Sequence, residues 1–251
     1  MTDLLLYERP VRLNRFAHAD LRYTPPTDFM FCRAVMAAPL MAVEFPTACR
    51  QYPIVFVQAP DGTLGAQAVL SLVADDNAFV DRQGRWTATY IPAAIRRYPF
   101  VLAEIVGNPS DFDVAVDEAS PCFSRDHGQA LFTPGGEPEP ILKAQIQFLQ
   151  AVLQEHRRTL QFARALGDAG LLVPRAVDIV RADQKRFGVR DALVVDEAKL
   201  VALPAPTAQA FLASGYLGWI YAHLLSLQCF LPLANRAGQT VDENAIPWWG
   251  K

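Results

Sequence analysis

One fourteen-residue pattern occurs twice in this chain, and it restricts the possible fold more than any other feature. Residues 45–58 read FPTACRQYPIVFVQ, and residues 91–104 read IPAAIRRYPFVLAE. At an offset of 46 the copies share Pro46/Pro92, Ala48/Ala94, Arg50/Arg96, Tyr52/Tyr98, Pro53/Pro99 and Val55/Val101. Proline suits a first helical turn, where its missing N–H would have had no partner anyway. The second proline disfavours helix at the tyrosine before it. The β-branched and aromatic run that follows suits a pleated, half-buried strand. Each copy therefore predicts a short helix, an abrupt stop and a buried strand.

The pattern extends on both sides. Pro60-Asp61-Gly62 is a turn signal between strands at Ile54–Gln58 and Ala66–Leu72. In the second copy, residues 107–111 separate Phe100–Val106 from Phe112–Val116. A fainter echo sets Ala78-Phe79-Val80-Asp81 with Gly84 against Ala130-Leu131-Phe132-Thr133 with Gly135. The expectation is a duplicated helix–strand–turn–strand unit, over residues 45–72 and 91–118. Two copies are too few for a solenoid.

Later residues change character. Within Glu139–Leu166, apolar positions at 142, 146, 149, 152, 153, 160 and 163, with His156 counted among them, predict one face of a long amphipathic helix. Gly167 and Gly170 end it, and Pro174 prevents its resumption. Ala176–Arg181 and Phe187–Val195 predict a hairpin around Gln184-Lys185. Asp196 suits the N-cap of a helix over Glu197–Leu203, and helices over Thr207–Ser214 and Gly215–Ala234 follow. Strands first and helices later mean α+β rather than alternating βα units. The chain divides into an extended arm (1–28), a single α+β domain (29–235, helix-rich from 139) and an aromatic tail (236–251).

A formal charge of −3 and pI near 5.8 give no basic surface for nucleic acid, which is excluded as a partner. The N-terminus lacks the basic start, apolar run and small-residue site of a signal peptide. Cys32, Cys49, Cys122 and Cys229 are scattered, as reduced, buried thiols are. The expected location is cytoplasmic. From Val201 to Asn235 there is no Asp, Glu, Lys or Arg, and Tyr216–Ala234 approaches the length of a membrane span. It carries His223, Ser226 and Gln228, with Gly218 and Pro232 near its ends, so a buried core helix is favoured over a span.

No phosphate loop, dinucleotide fingerprint, nucleophile elbow or HExxH stands in the sequence. The sharpest local group is Trp219, His223, Ser226 and Phe230, at steps of four, three and four on one helical face. His223 and Ser226 are the catalytic candidates, able to line a pocket or pass a proton. The competing and favoured reading is a core helix whose histidine is bonded to backbone or to Ser226. Arg50, Arg96 and Arg97, beside Tyr52 and Tyr98, could form a symmetric anion site or merely cap their helices. Asp75-Asp76, Asp81 and Asp117-Glu118 could gather around a cation, but solvated turns are favoured, and no metal or cofactor is expected. Trp86 and Tyr90 read as packing residues. Trp219, Trp248 and Trp249 are candidate ligand or partner contacts.

The runs EFPTACRQYPIVFV, NAFVDRQGRWTATYIPAAIRRYPFVL, VVDEAKLVAL and GYLGWIYAHLLSLQCFLPL resemble the bacterial SapC-like family, over about residues 30–235. The family takes its label from surface-layer loci, and its members are often encoded beside TonB-dependent receptors and modifying enzymes. The resemblance implies an accessory part in a receptor-linked uptake or protein-modification system, and supplies no catalytic residues. A permease of the same name needs several apolar spans, and this chain offers one candidate. The leading expectation is a non-catalytic adaptor that holds a protein partner. An enzyme with an unrecognised site around His223 and the arginines is the alternative, and an envelope or surface-layer component is a third.

Overall fold

The computed structural model describes residues 6–105, 108–180 and 186–236. Its strands are β1 (Pro10–Arg12), β2 (Arg22–Tyr23), β3 (Ala37–Pro39), β4 (Ile54–Gln58), β5 (Leu64–Val69), β6 (Phe100–Ile105), β7 (Asn108–Asp117), β8 (Phe123–Ser124), β9 (Gln129–Ala130), β10 (Leu172–Val180) and β11 (Arg186–Val195). Its helices are α1 (Phe45–Ala48), α2 (Ala93–Arg96), α3 (Pro140–Asp168), α4 (Glu197–Val201), α5 (Ala205–Ala213), α6 (Tyr216–Ser226) and α7 (Phe230–Arg236). The fold is α+β, strand-rich first and helical last.

The two sequence copies become α1–β4–β5 and α2–β6–β7. Pro46 and Pro92 stand at the two helix starts, and each strand pair is antiparallel, with Ile54 opposite Ala68 and Phe100 opposite Val116. The likeness then exceeds what the sequence pattern shows. A third strand flanks each pair: β3 lies against β5, with Ala38 opposite Ala68, and β1 lies against β7, with Val11 opposite Val116. The orders β3-β5-β4 and β1-β7-β6 match. The fainter echo is also real. Val80 bridges Trp86 and Phe132 bridges Pro138, closing two alike hairpins whose turns carry Gly84 (φ 78°) and Gly136 (φ 82°). Gly136, not Gly135, is thus the counterpart of Gly84.

The second unit borrows its third strand from the N-terminal arm, which is integral to it. Asp117 accepts the N–H groups of Glu8 (3.1 Å) and Arg9 (2.8 Å), and the Tyr7 hydroxyl donates to the Phe100 carbonyl at 2.9 Å. Tyr7, Leu21 and Tyr23 enter one core with Tyr98, Phe100, Leu131, Leu142 and Leu149. A larger core holds the first unit, the far end of α3 (Phe162, Ala163, Leu166) and the C-terminal helices. Helix α3, about 43 Å long at 1.5 Å per residue, runs past both.

A helix that serves two cores cannot keep one strict face, because its 3.6-residue turn drifts. His156, expected on the buried face, is exposed, and Thr159 is buried instead. The Thr159 hydroxyl accepts the Ala42 N–H at 2.8 Å and donates to the Glu155 carbonyl at 2.7 Å. Beyond α3 the hairpin β10–β11 forms over longer strands than expected and joins the first sheet where Leu193 meets Phe56. Its expected turn at Gln184-Lys185 lies outside the described residues. Asp196 caps α4 as the sequence indicates, accepting from the N–H groups of Ala198 and Lys199. Helices α6 and α7 continue through a tight turn at Leu227–Cys229 as one helical stretch, long and apolar enough to cross a membrane. Over half of its most apolar window is buried within the protein, where α6 packs against α1, β4 and β11.

Candidate functional site

Strands β4 and β11 share a single ladder pair, Leu193 with Phe56, and then part. Antiparallel register would next set Val195 opposite Ile54, and both residues are buried. A buried N–H without an acceptor costs about 1–3 kcal/mol. Helix α6 supplies both acceptors. His223 Nε2 takes the Val195 N–H at 3.1 Å, and Ser226 Oγ takes the Ile54 N–H at 3.0 Å. The Ser226 hydroxyl donates in turn to the His223 carbonyl at 2.5 Å. The helical spacing of three that put His223 and Ser226 on one face thus bridges the two strand ends where the β4–β11 pairing stops.

This geometry decides what the pair can do. Both side chains are 0% exposed, and the His223 ring lies 5.1 Å from that of Phe56. Burial pulls the His223 pKa down to about 4, against an upward pull from the Ile54 backbone. The imidazole is neutral near pH 7, accepts through Nε2 and carries its proton on Nδ1, which has no well-aligned partner. Ser226 donates to the His223 backbone carbonyl rather than to its imidazole, so the nucleophile–base bond of a serine hydrolase does not form. Trp219, one turn earlier, packs edge-on against Phe162 with the Arg158 guanidinium 4.6 Å over its ring, locking α6 to α3.

A second polar cluster joins the repeats. Glu44, 5% exposed, accepts the N–H groups of Met41 (2.8 Å) and Ala93 (2.9 Å) and the Tyr90 hydroxyl (2.6 Å). Its carboxylate therefore ties the first unit to the opening turn of α2. Tyr52 is fully buried, donates to the Tyr90 carbonyl and accepts Trp86 Nε1 at 3.0 Å. Desolvation pushes its pKa up, so it stays a neutral phenol. Tyr98, its repeat partner, stacks on Phe31 at 4.0 Å. Trp86 and Tyr90 are packing residues, half-buried against the larger core, but the strand their spacing suggests does not form: Trp86 makes one isolated bridge to Val80.

The other candidates have ordinary places. Arg50 is exposed past α1, and Arg97 is buried at the end of α2. Arg96 donates to the Ile91 carbonyl at 2.9 Å and lies over the rings of Tyr90 and Phe148. The acidic residues are apart: Asp76 pairs with Arg33, Asp81 with Arg85, and Glu118 with Arg9 and His18. Among the described residues no group of three His, Cys, Asp or Glu side chains could hold a metal ion. All four cysteines are buried and free, and burial raises Cys32 to about 12 and Cys229 to about 11. Thiols so shifted are not thiolate nucleophiles at neutral pH. Trp248 and Trp249 lie outside the described residues.

Sequence reasoning missed the outer face of the last helices. Gly218, Tyr221, Leu225, Gln228 and Pro232 recur at steps of three and four, and all are exposed, Tyr221 by 47% and Leu225 by 58%. Half-buried Leu217, Leu224 and Leu231 flank them. The signal was available: an uncharged run of this length that is also amphipathic presents an apolar stripe to water. No curated protein and no solved structure matches the chain significantly. The family model of SapC matches it over residues 13–233, from just past the arm's first strand into α7 and through both sequence copies, and the chain belongs to the SapC family.

Proposed function

We propose that this protein is a non-catalytic accessory or adaptor protein that holds a protein partner on the outer face of α6 and α7. The observation that carries the reading is the exposed, charge-free stripe of Tyr221 and Leu225 between Leu217 and Leu231. Exposed apolar surface is costly to keep, and where it forms a continuous helical stripe it marks a place for another protein. The sealing of His223 and Ser226 supports the same reading, because both use their polar atoms on the backbone. The resemblance set out above suggests, as partner, a modifying enzyme or receptor component of an uptake or modification system, met in the cytoplasm. Affinity capture of tagged protein from its host tests this. Wild type should recover a specific partner that a Tyr221→Asp/Leu225→Asp variant loses while keeping its melting temperature. Equal recovery by both would refute the assignment of this face.

A further inference from the structure

The duplicated hairpins differ in what covers their turns. Over the first, the chain's own segment Asp28-Phe29-Met30 lies closely. The Phe29 N–H donates to the Gly84 carbonyl at 2.7 Å, and a Cβ on Gly84 would come within 2.8 Å of the Asp28 Cβ. The Phe29 ring sits edge-on to Trp86 at 5.5 Å. Over the second turn there is instead an open cavity of about 680 Å³, lined by Arg15, Phe16, Arg22, Arg125, Gly136 and Glu139 among others. The Gly136 carbonyl, counterpart of the acceptor that Phe29 satisfies, takes no hydrogen bond from the described residues. Only the Arg15 stem approaches, 3.4 Å from where a Gly136 Cβ would stand.

The cavity's charge fits an anion. Asp20 pairs with Arg125 at its edge. Arg22 donates to the Gly128 carbonyl at 3.1 Å, Arg15 lies over the Phe16 ring at 4.9 Å, and neither pairs with a carboxylate among the described residues. Glu139 opposes these two guanidiniums, leaving the lining net positive in a protein of net charge −3. Phe16 beside them is 78% exposed, a flat apolar surface next to a positive one.

We propose that this cavity binds a linear peptide of a partner protein, one with a carboxylate next to an aromatic residue, much as Asp28-Phe29 lies on the first hairpin. The carboxylate meets Arg15 and Arg22, the aromatic ring rests on Phe16, and a peptide N–H reaches the Gly136 carbonyl. Guanidinium forks suit carboxylates, and exposed aromatic rings suit aromatic partners. This site is separate from the helical stripe and does not depend on it.

The probe is a fluorescently labelled, end-capped peptide of sequence Thr-Asp-Phe-Met-Phe, titrated into the full chain and read by anisotropy. Saturable binding is expected, weakened about tenfold or more by Arg15→Glu with Arg22→Glu, and equally by lysine in place of the peptide's aspartate. The amide resonances of Gly135 and Gly136 should shift on binding. The lysine peptide is tested on unaltered protein, so this arm stands even if the double variant misfolds. No saturation up to about 1 mM, a range where weak peptide contacts are still visible, would overturn the proposal. So would binding indifferent to both charge changes, or resonance shifts confined to other surfaces.

Discussion

Replacing Ser226 with alanine removes one hydroxyl oxygen and leaves the Ile54 N–H, 3.0 Å from it, buried without an acceptor. The side chain is small, so little cavity forms, and the cost is that of the orphaned donor, about 1–3 kcal/mol. Replacing His223 with alanine orphans the Val195 N–H and empties the imidazole's place beside Phe56. Donor and cavity terms together come to about 3–5 kcal/mol. For a chain of this size each kcal/mol lowers the melting temperature by about 2–4 °C, so Ser226→Ala should melt at least about 2 °C lower and His223→Ala at least about 6 °C lower. The double variant should lose less than the sum, since one opening of the strands exposes both N–H groups to water. Thermal denaturation followed by far-UV circular dichroism at pH 7 checks all three. Melting points within a degree of wild type would show that the side chains do not hold the strand ends. A variant with wild-type stability but no function would return His223 to the catalytic candidates.

Four further outcomes are expected. His223 has a folded pKa near 4 against an ordinary 6.5, so the unfolded chain binds the proton first as pH falls. Its contribution is fully present above pH 6.5 and is lost towards pH 4, with a cost of about 2 kcal/mol already at pH 5; urea midpoints from pH 7 to 5 should fall in wild type and flatten in His223→Gln. Glu44→Gln puts an amide among the three donors of Met41, Ala93 and Tyr90, and equilibrium unfolding should show a loss of about 2–3 kcal/mol. Gly136→Ala meets only backbone strain and the flexible Arg15 stem, costing about 1 kcal/mol, whereas Gly84→Ala also drives into the Asp28 Cβ and should cost about 2–3 kcal/mol. Asp117→Ala frees the N–H groups of Glu8 and Arg9, and limited proteolysis should then cut the arm before residue 28 at least several-fold faster, through more frequent local opening.

The repeat was legible because its signals are local. A proline that starts a helix, a Tyr-Pro step that stops it and an apolar run act within a few residues of themselves. What joins the copies to the rest is not local. Pro10–Arg12 has too few residues for any strand periodicity, and only pairing with β7 makes it the counterpart of β3. The hairpin echo was read one glycine out of register, since Gly135 and Gly136 are adjacent and only φ tells them apart. His156 read as part of a buried face because a helical period over residues 139–166 cannot show which core each turn meets. The relation of His223 to Ser226 was visible as a spacing. Their partners, the backbones of Val195 and Ile54, are 28 and 172 residues away and carry no side-chain signature. The exposed stripe was overlooked for a different reason: an uncharged apolar run reads as wholly buried until one side of it is seen to face water.

Affinity capture at native expression, comparing wild type, His223→Gln and Tyr221→Asp/Leu225→Asp, tests the adaptor reading most directly. A partner-holding role predicts that wild type recovers a specific protein, that His223→Gln recovers it in proportion to its folded fraction, and that the stripe variant, folded by its melting curve, does not. Recovery undiminished in the stripe variant, or lost in a well-folded His223→Gln, would contradict it.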